Sequence, residues 1–85
     1  MWNKEKCNYV DNKINTVRDT FLRGDKDNFT ESLIAVEEDT GYEIDFLYDI
    51  FVEIIEDEME DGMDYDEAVY NAAESTVTIS YEQDW

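Results

Sequence analysis

From Asp27 to Trp85 the chain carries 20 acidic residues and not one Lys, Arg or His. No carboxylate in that stretch has a counter-charge close in sequence, so apolar periodicity alone has to organise it. The six bases (Lys4, Lys6, Lys13, Arg18, Arg23 and Lys26) all lie in the first 26 residues, beside four acids, Glu5, Asp11, Asp19 and Asp25. This sign asymmetry is the most informative feature of the sequence. The net charge of −18 repels itself and works against any compact state. It also exceeds the roughly 2–8 charges that keep a small domain soluble. A core is nonetheless affordable, because 42% of the residues are hydrophobic and they include two Trp, six Tyr and four Phe. Acidic disordered chains lack such residues.

At 85 residues the chain is expected to form a single acidic helical domain over 1–85. A core of this size is marginal, and dimerisation would reinforce it. The lone Cys7 cannot form an internal disulfide and fits a reducing cytoplasm. No apolar run reaches the length of a membrane span, and Met1 to Glu5 lacks the apolar centre of a signal peptide.

The spacing predicts four helices and an all-α fold, a small compact bundle with a strongly acidic surface. Cys7, Val10, Ile14, Val17 and Phe21 share one face of a first helix from about Asn3 to Arg23, ending before Gly24. That face reads as core or as a dimer seam. A second helix is expected to start near Asn28, with Glu31 as capping partner, to bury Phe29, Leu33 and Val36, and to stop at Gly41. The third, from about Asp45 to Asp61, has a wide apolar stripe of Phe46, Leu47, Ile50, Phe51, Ile54, Ile55 and Met59 and stops at Gly62. The fourth is expected to be capped by Asp64, with Glu67 at its third position, and to turn Tyr65, Ala68, Val69, Ala72 and Ala73 inward. Beyond Ser75, Val77, Ile79 and Tyr81 alternate like a strand. No other segment could pair with it, so a turn and a short terminal helix are expected there.

On the third helix Asp45, Asp49, Glu53, Asp57 and Asp61 recur at every fourth position. Such residues are surface neighbours, and the row spans about 24 Å at 1.5 Å rise per residue. Glu56, Glu58 and Glu60 add to it. Like charges at this spacing destabilise a helix by a few tenths of a kcal/mol per pair, and a helix indifferent to its charge would interleave Lys or Arg. Regularly spaced negative charge is also the signature of a nucleic-acid backbone. A rigid row of carboxylates could therefore enter the basic channel that a protein keeps for DNA or RNA, without regard to sequence. The competing readings are a merely solvated face and the general acidity of halophilic proteins. Halophile acidity is spread along the chain, whereas these bases cluster at one end.

Other chemistries are less well served. Neither the acids around Asp25 and Asp27 nor Asp61 to Asp66 match the spacing of a helix–loop–helix calcium site. With no His and one Cys, zinc and di-iron sites are not expected, and the commonest general base is missing. Cys7 falls at an apolar helical position and reads as core. No Gly-rich phosphate loop occurs, and the N-terminal bases read as ordinary helix surface. No catalytic activity, cofactor or metal, and no direct nucleic-acid or membrane binding, is expected.

The segment Leu33 to Asp39 with Tyr42-Glu43-Ile44 resembles the second helix of acyl carrier proteins and its exit. That family carries its prosthetic group on an Asp-Ser-Leu before the helix; here Lys26 stands at about the equivalent distance, so a carrier role is not expected. Asp66-Glu67-Ala68-Val69, Ala72-Ala73-Glu74, Val77 and Tyr81 resemble a segment joining two helices in phage antirestriction DNA mimics of the Ocr type. The likeness covers about 20 residues, mostly Ala and acids. It implies inhibition of a DNA-handling defence enzyme, and because Ocr-type proteins are dimers imitating bent duplex, it leaves a homodimer open. The expected function is thus a phage-type mimic in the bacterial cytoplasm, occluding the channel of a basic DNA- or RNA-binding protein such as a restriction, CRISPR or repair enzyme. Its expected surface is Asp45, Asp49, Glu53, Glu56, Asp57, Glu60, Asp61, Asp64, Asp66, Glu67 and Glu74. The alternative is an immunity- or antitoxin-like protein that neutralises one basic partner through aromatic anchors such as Tyr42, Tyr48 or Tyr65.

Overall fold

Asn3 opens the first helix by accepting the Lys6 backbone N–H on its side chain at 2.8 Å, satisfying one of the donors that a helix start leaves free. The computed structural model describes residues 3–82 as four helices: α1 Lys4–Leu22, α2 Lys26–Thr40, α3 Ile44–Glu60 and α4 Tyr65–Glu82. They pack into a body of 34 × 28 × 20 Å. No described helix is long and apolar enough to cross a membrane.

The α1 stripe is core. Val10, Ile14 and Val17 are buried, with Cys7 and Phe21 half-buried at its ends. Lys6, read from the sequence as surface, is buried beside them. The second helix starts earlier than expected. Asp25, not Asn28, is its cap, accepting the Asn28 backbone N–H at 3.2 Å and the Asn28 amide at 2.7 Å. Its far end closes on Gly41 at φ 83°, a left-handed position that suits glycine. The start of α3 is then capped from α2, because the Ile44 N–H donates to Glu37 Oε2 at 3.0 Å.

In α3 the buried row is Leu47, Phe51 and Ile55. Two residues assigned to the apolar stripe point elsewhere: Phe46 is 50% exposed and Met59 44%. The buried arc is narrower than the apolar spacing predicts; at about 100° per residue Phe46 lies some 140° round the helix from Phe51. Phe46 instead stacks on Tyr42, with centroids 5.8 Å apart.

The largest departure is at the C-terminus. α4 runs without a break through Thr76, Val77, Thr78 and Ile79 to Glu82, where a turn was expected; Gln83 to Trp85 lie outside the described residues. Local preference is overridden by packing, since α4 lies against all three other helices and buries Ala68, Val69, Ala72, Ala73, Thr76, Val77, Ser80 and Tyr81. The Ser80 hydroxyl donates back to the Thr76 carbonyl at 2.8 Å, which lets it enter the core. Tyr65, expected to face inward, is exposed at the first turn.

Phe21, Phe29 and Phe51, from three helices, cluster with centroids 4.9–5.4 Å apart. Toward the other end of α1, Tyr9 and Tyr81 meet edge to face at 5.9 Å. Both phenols donate to Asp39 Oδ2 at 2.5 Å.

Candidate functional site: the acidic outer face

The acid row of α3 and the buried row of α3 have the same period. Asp45, Asp49, Glu53 and Asp57 each stand two residues from Leu47, Phe51 or Ile55, hence about 200° round the helix. The carboxylates therefore follow the drift of the core contact on the diametrically opposite side. All four are exposed, as are Glu56, Glu60 and Asp61. Asp61 is the C-cap of α3, its N–H bonded to the Asp57 and Met59 carbonyls, so the row ends at the helix terminus. None of these seven side chains has a hydrogen bond or ion pair among the described residues. Two effects oppose the arrangement: the carboxylates repel one another, and the last turn has acids where the helix dipole favours cations.

Glu58 does not belong to this face. It leans toward α4, where its Oε1 accepts from Asn71 Nδ2 at 2.8 Å, and its Oε2 is enclosed without a hydrogen-bond partner.

The acids assigned from the fourth helix are exposed too, but their surroundings differ. Asp64, Asp66 and Glu67 share a shallow hollow with Arg18, Leu22, Tyr65 and Tyr70. Arg18 lies 5.5 Å from the Tyr70 ring centroid and binds Asp19 at 2.9 Å. Glu74 accepts from the Tyr70 hydroxyl, and that bond, followed by the Glu74 charge, raises the phenol above its ordinary pKa. The structure thus splits the expected surface. The α3 carboxylates have no ion pair among the described residues, although Lys26 borders the same cleft as Asp45; Asp64, Asp66 and Glu67 share their hollow with Arg18 of α1.

Three further carboxylates outside this surface, besides Glu58 and Asp19, have structural partners. Glu37 caps α3 and Asp25 caps α2. Asp39 is half-buried between Tyr9 and Tyr81, and Lys13 Nζ sits 5.0 Å from the Tyr9 ring centroid. Burial alone would raise the Asp39 carboxyl. The Tyr81 and Tyr9 hydrogen bonds, with the Lys13 charge, outweigh it and hold Asp39 below the ordinary aspartate value. Tyr81 is pushed well up by burial and by its bond to Asp39.

Of the aromatic anchors considered, Tyr48 and Tyr65 are exposed and Tyr42 is half-buried under Phe46. Phe46, expected in the apolar stripe, is exposed beside them. Nor do three His, Cys, Asp or Glu residues among those described converge as a metal ion would require. Against this fold and surface, no protein-family model, no curated protein and no solved structure matches the chain.

Proposed function

We propose that this protein is a nucleic-acid mimic, whose α3 outer face enters the cationic channel of a DNA- or RNA-binding enzyme and blocks it without turnover. One observation carries the reading. The carboxylates of Asp45, Asp49, Glu53 and Asp57 run opposite the buried row, exposed and without a bond among the described residues, against mutual repulsion and, at Asp57 in the last turn, against the helix dipole. Solvation alone needs no such row, because interleaved Lys residues would serve it better. The acids of α4 extend the charged surface, tempered by Arg18. The strongly acidic surface, the bacterial cytoplasm as the place of action and a host defence or DNA-processing enzyme as target belong to the same proposal.

The test begins with affinity capture from a bacterial lysate on the immobilised protein, eluted by a salt gradient, with retained proteins identified by mass spectrometry. Retained proteins should handle nucleic acid, release steeply with salt and be displaced by excess duplex or single-stranded DNA or RNA. Reversal of Asp49, Glu53 and Asp57 to Lys should lower affinity on the order of 100-fold, about 2.7 kcal/mol, with the helical circular-dichroism signal retained. Full inhibition of the target by that triple variant would sink the proposal.

The second reading, a neutralising partner of one basic protein, draws on the exposure of Tyr48, Tyr65 and Phe46. Aromatic anchors in a desolvated contact respond weakly to salt. In that case DNA would not compete, and Tyr48→Ala would cost more affinity than the triple charge reversal.

A further inference from the structure

Beside the head of the acid row lies a cleft of about 500 Å³, formed where the end of α1 and the starts of α2 and α3 meet. That volume lies in the range of specific ligand pockets, roughly 300–1,000 Å³. Its walls include Phe21, Phe29, Leu33 and Tyr48, and Asp25, Lys26 and Asp45 border it. We propose that this cleft receives an arginine side chain of the protein's partner, with the guanidinium at Asp45 and the carbon stem against the aromatic wall. The inference rests on the mimic reading for its partner and adds to it a point of specificity that the charge row alone cannot supply.

The occupant follows from the chemistry of the walls and the field. A molecule of net charge −18 repels anions from any cleft it owns. A hydrated ammonium gains little from walls of Phe and Leu. A guanidinium is planar and weakly hydrated, stacks on aromatic rings and still pairs with a carboxylate. Tyr48 offers such a ring, 46% exposed and held edge-on by Phe29 at 6.3 Å. The two bordering carboxylates are not equivalent. Asp25 is engaged with Asn28 and lies 3.9 Å from an Arg23 nitrogen, whereas Asp45 has no bond among the described residues and is the first member of the row. A basic partner lying along α3 therefore meets the cleft and the row together. Lys26 opposes this occupant, and the sign of its effect is itself a test.

The experiment is a nitrogen-15 NMR titration of the full chain at low ionic strength with N-acetyl-arginine N-methylamide, and with its lysine and citrulline counterparts. Arginine should give saturable shifts at Phe29, Leu33 and Tyr48, about threefold tighter than lysine, as a stacked cation–π contact predicts. Citrulline, isosteric but uncharged, should leave these amides unmoved. Asp45→Asn should weaken arginine about threefold and Lys26→Ala strengthen it about twofold, as expected for single charges at a partly exposed site. Equal shifts with citrulline, even spreading of the arginine shifts along Asp49 to Glu60, or weaker binding in Lys26→Ala would each overturn the assignment. The two proposals fail separately: Asp49→Asn/Glu53→Gln/Asp57→Asn should keep the cleft shifts while losing nucleic-acid-competed capture. Loss of the cleft shifts in that variant would also count against the cleft.

Discussion

Asp39 and Glu53 are both carboxylates on helices of one small bundle, and they are used in opposite ways. Asp39 is half-buried, takes two phenol hydrogen bonds and lies near Lys13, so that contacts across the fold meet on it. Glu53 is exposed on the far side of α3 from the core, with Asp49 and Asp57 one helical turn to either side and no partner. The chain can satisfy a carboxylate where stability requires it. The α3 row is therefore a surface on which such satisfaction is withheld.

The contrast is sharpest in stability. Asp39→Ala leaves Tyr9 and Tyr81 without the acceptor they share and is expected to cost about 2–3 kcal/mol, the range for hydrogen bonds to a charged group, read by urea denaturation with an unchanged slope. A loss below half a kcal/mol would mean that water replaces the carboxylate and that the two classes of acid do not differ. The same comparison has a pH dependence. Because the folded Asp39 carboxyl titrates below its unfolded value, its contribution is complete above the ordinary aspartate value of about 3.9 and fades as pH falls through the lowered folded value. The stability gap between wild type and Asp39→Ala should hold from neutrality to about pH 5 and narrow as pH falls through the lowered folded value. A gap that persists in strong acid would trace the effect to packing rather than charge. The smallest effect has the opposite sign. Glu53→Lys removes three repulsions, with Asp49, Glu56 and Asp57, and creates three attractive spacings, and should stabilise the fold by about 0.5–1 kcal/mol, shrinking as salt screens the pairs. Destabilisation by that change would show that Glu53 serves the fold after all.

Much of the helical frame was legible because two periodicities coincide. Val10, Ile14 and Val17 and then Leu47, Phe51 and Ile55 repeat at the interval of a helix face, and the acids of α3 repeat at the same interval on the other side. The sequence was less readable where neighbours decide. The Thr76 to Ile79 run has the local preferences of an extended segment, and only its burial against three helices makes it helical. Asp25 outcompetes Asn28 as a cap through a side-chain bond that no periodicity reveals. The division of the acidic surface was hidden too, because Arg18 reaches Tyr70 and the Asp64–Glu67 hollow from a helix more than forty positions earlier. The cleft beside Asp45 was invisible for the same reason, being assembled from three separated segments.

Glu37 gives the row a property that sequence spacing could not. By closing the first turn of α3 from α2, it splints the two helices at the point where the acid row starts, so the row is registered to the bundle as well as to its own helix. The ordering entropy of these carboxylate-bearing turns is lost on folding and not at encounter, as in any preorganised ligand. On the proposed reading, a cationic partner would meet carboxylates whose backbone positions are already set before contact, so that only their side-chain rotamers remain to be ordered.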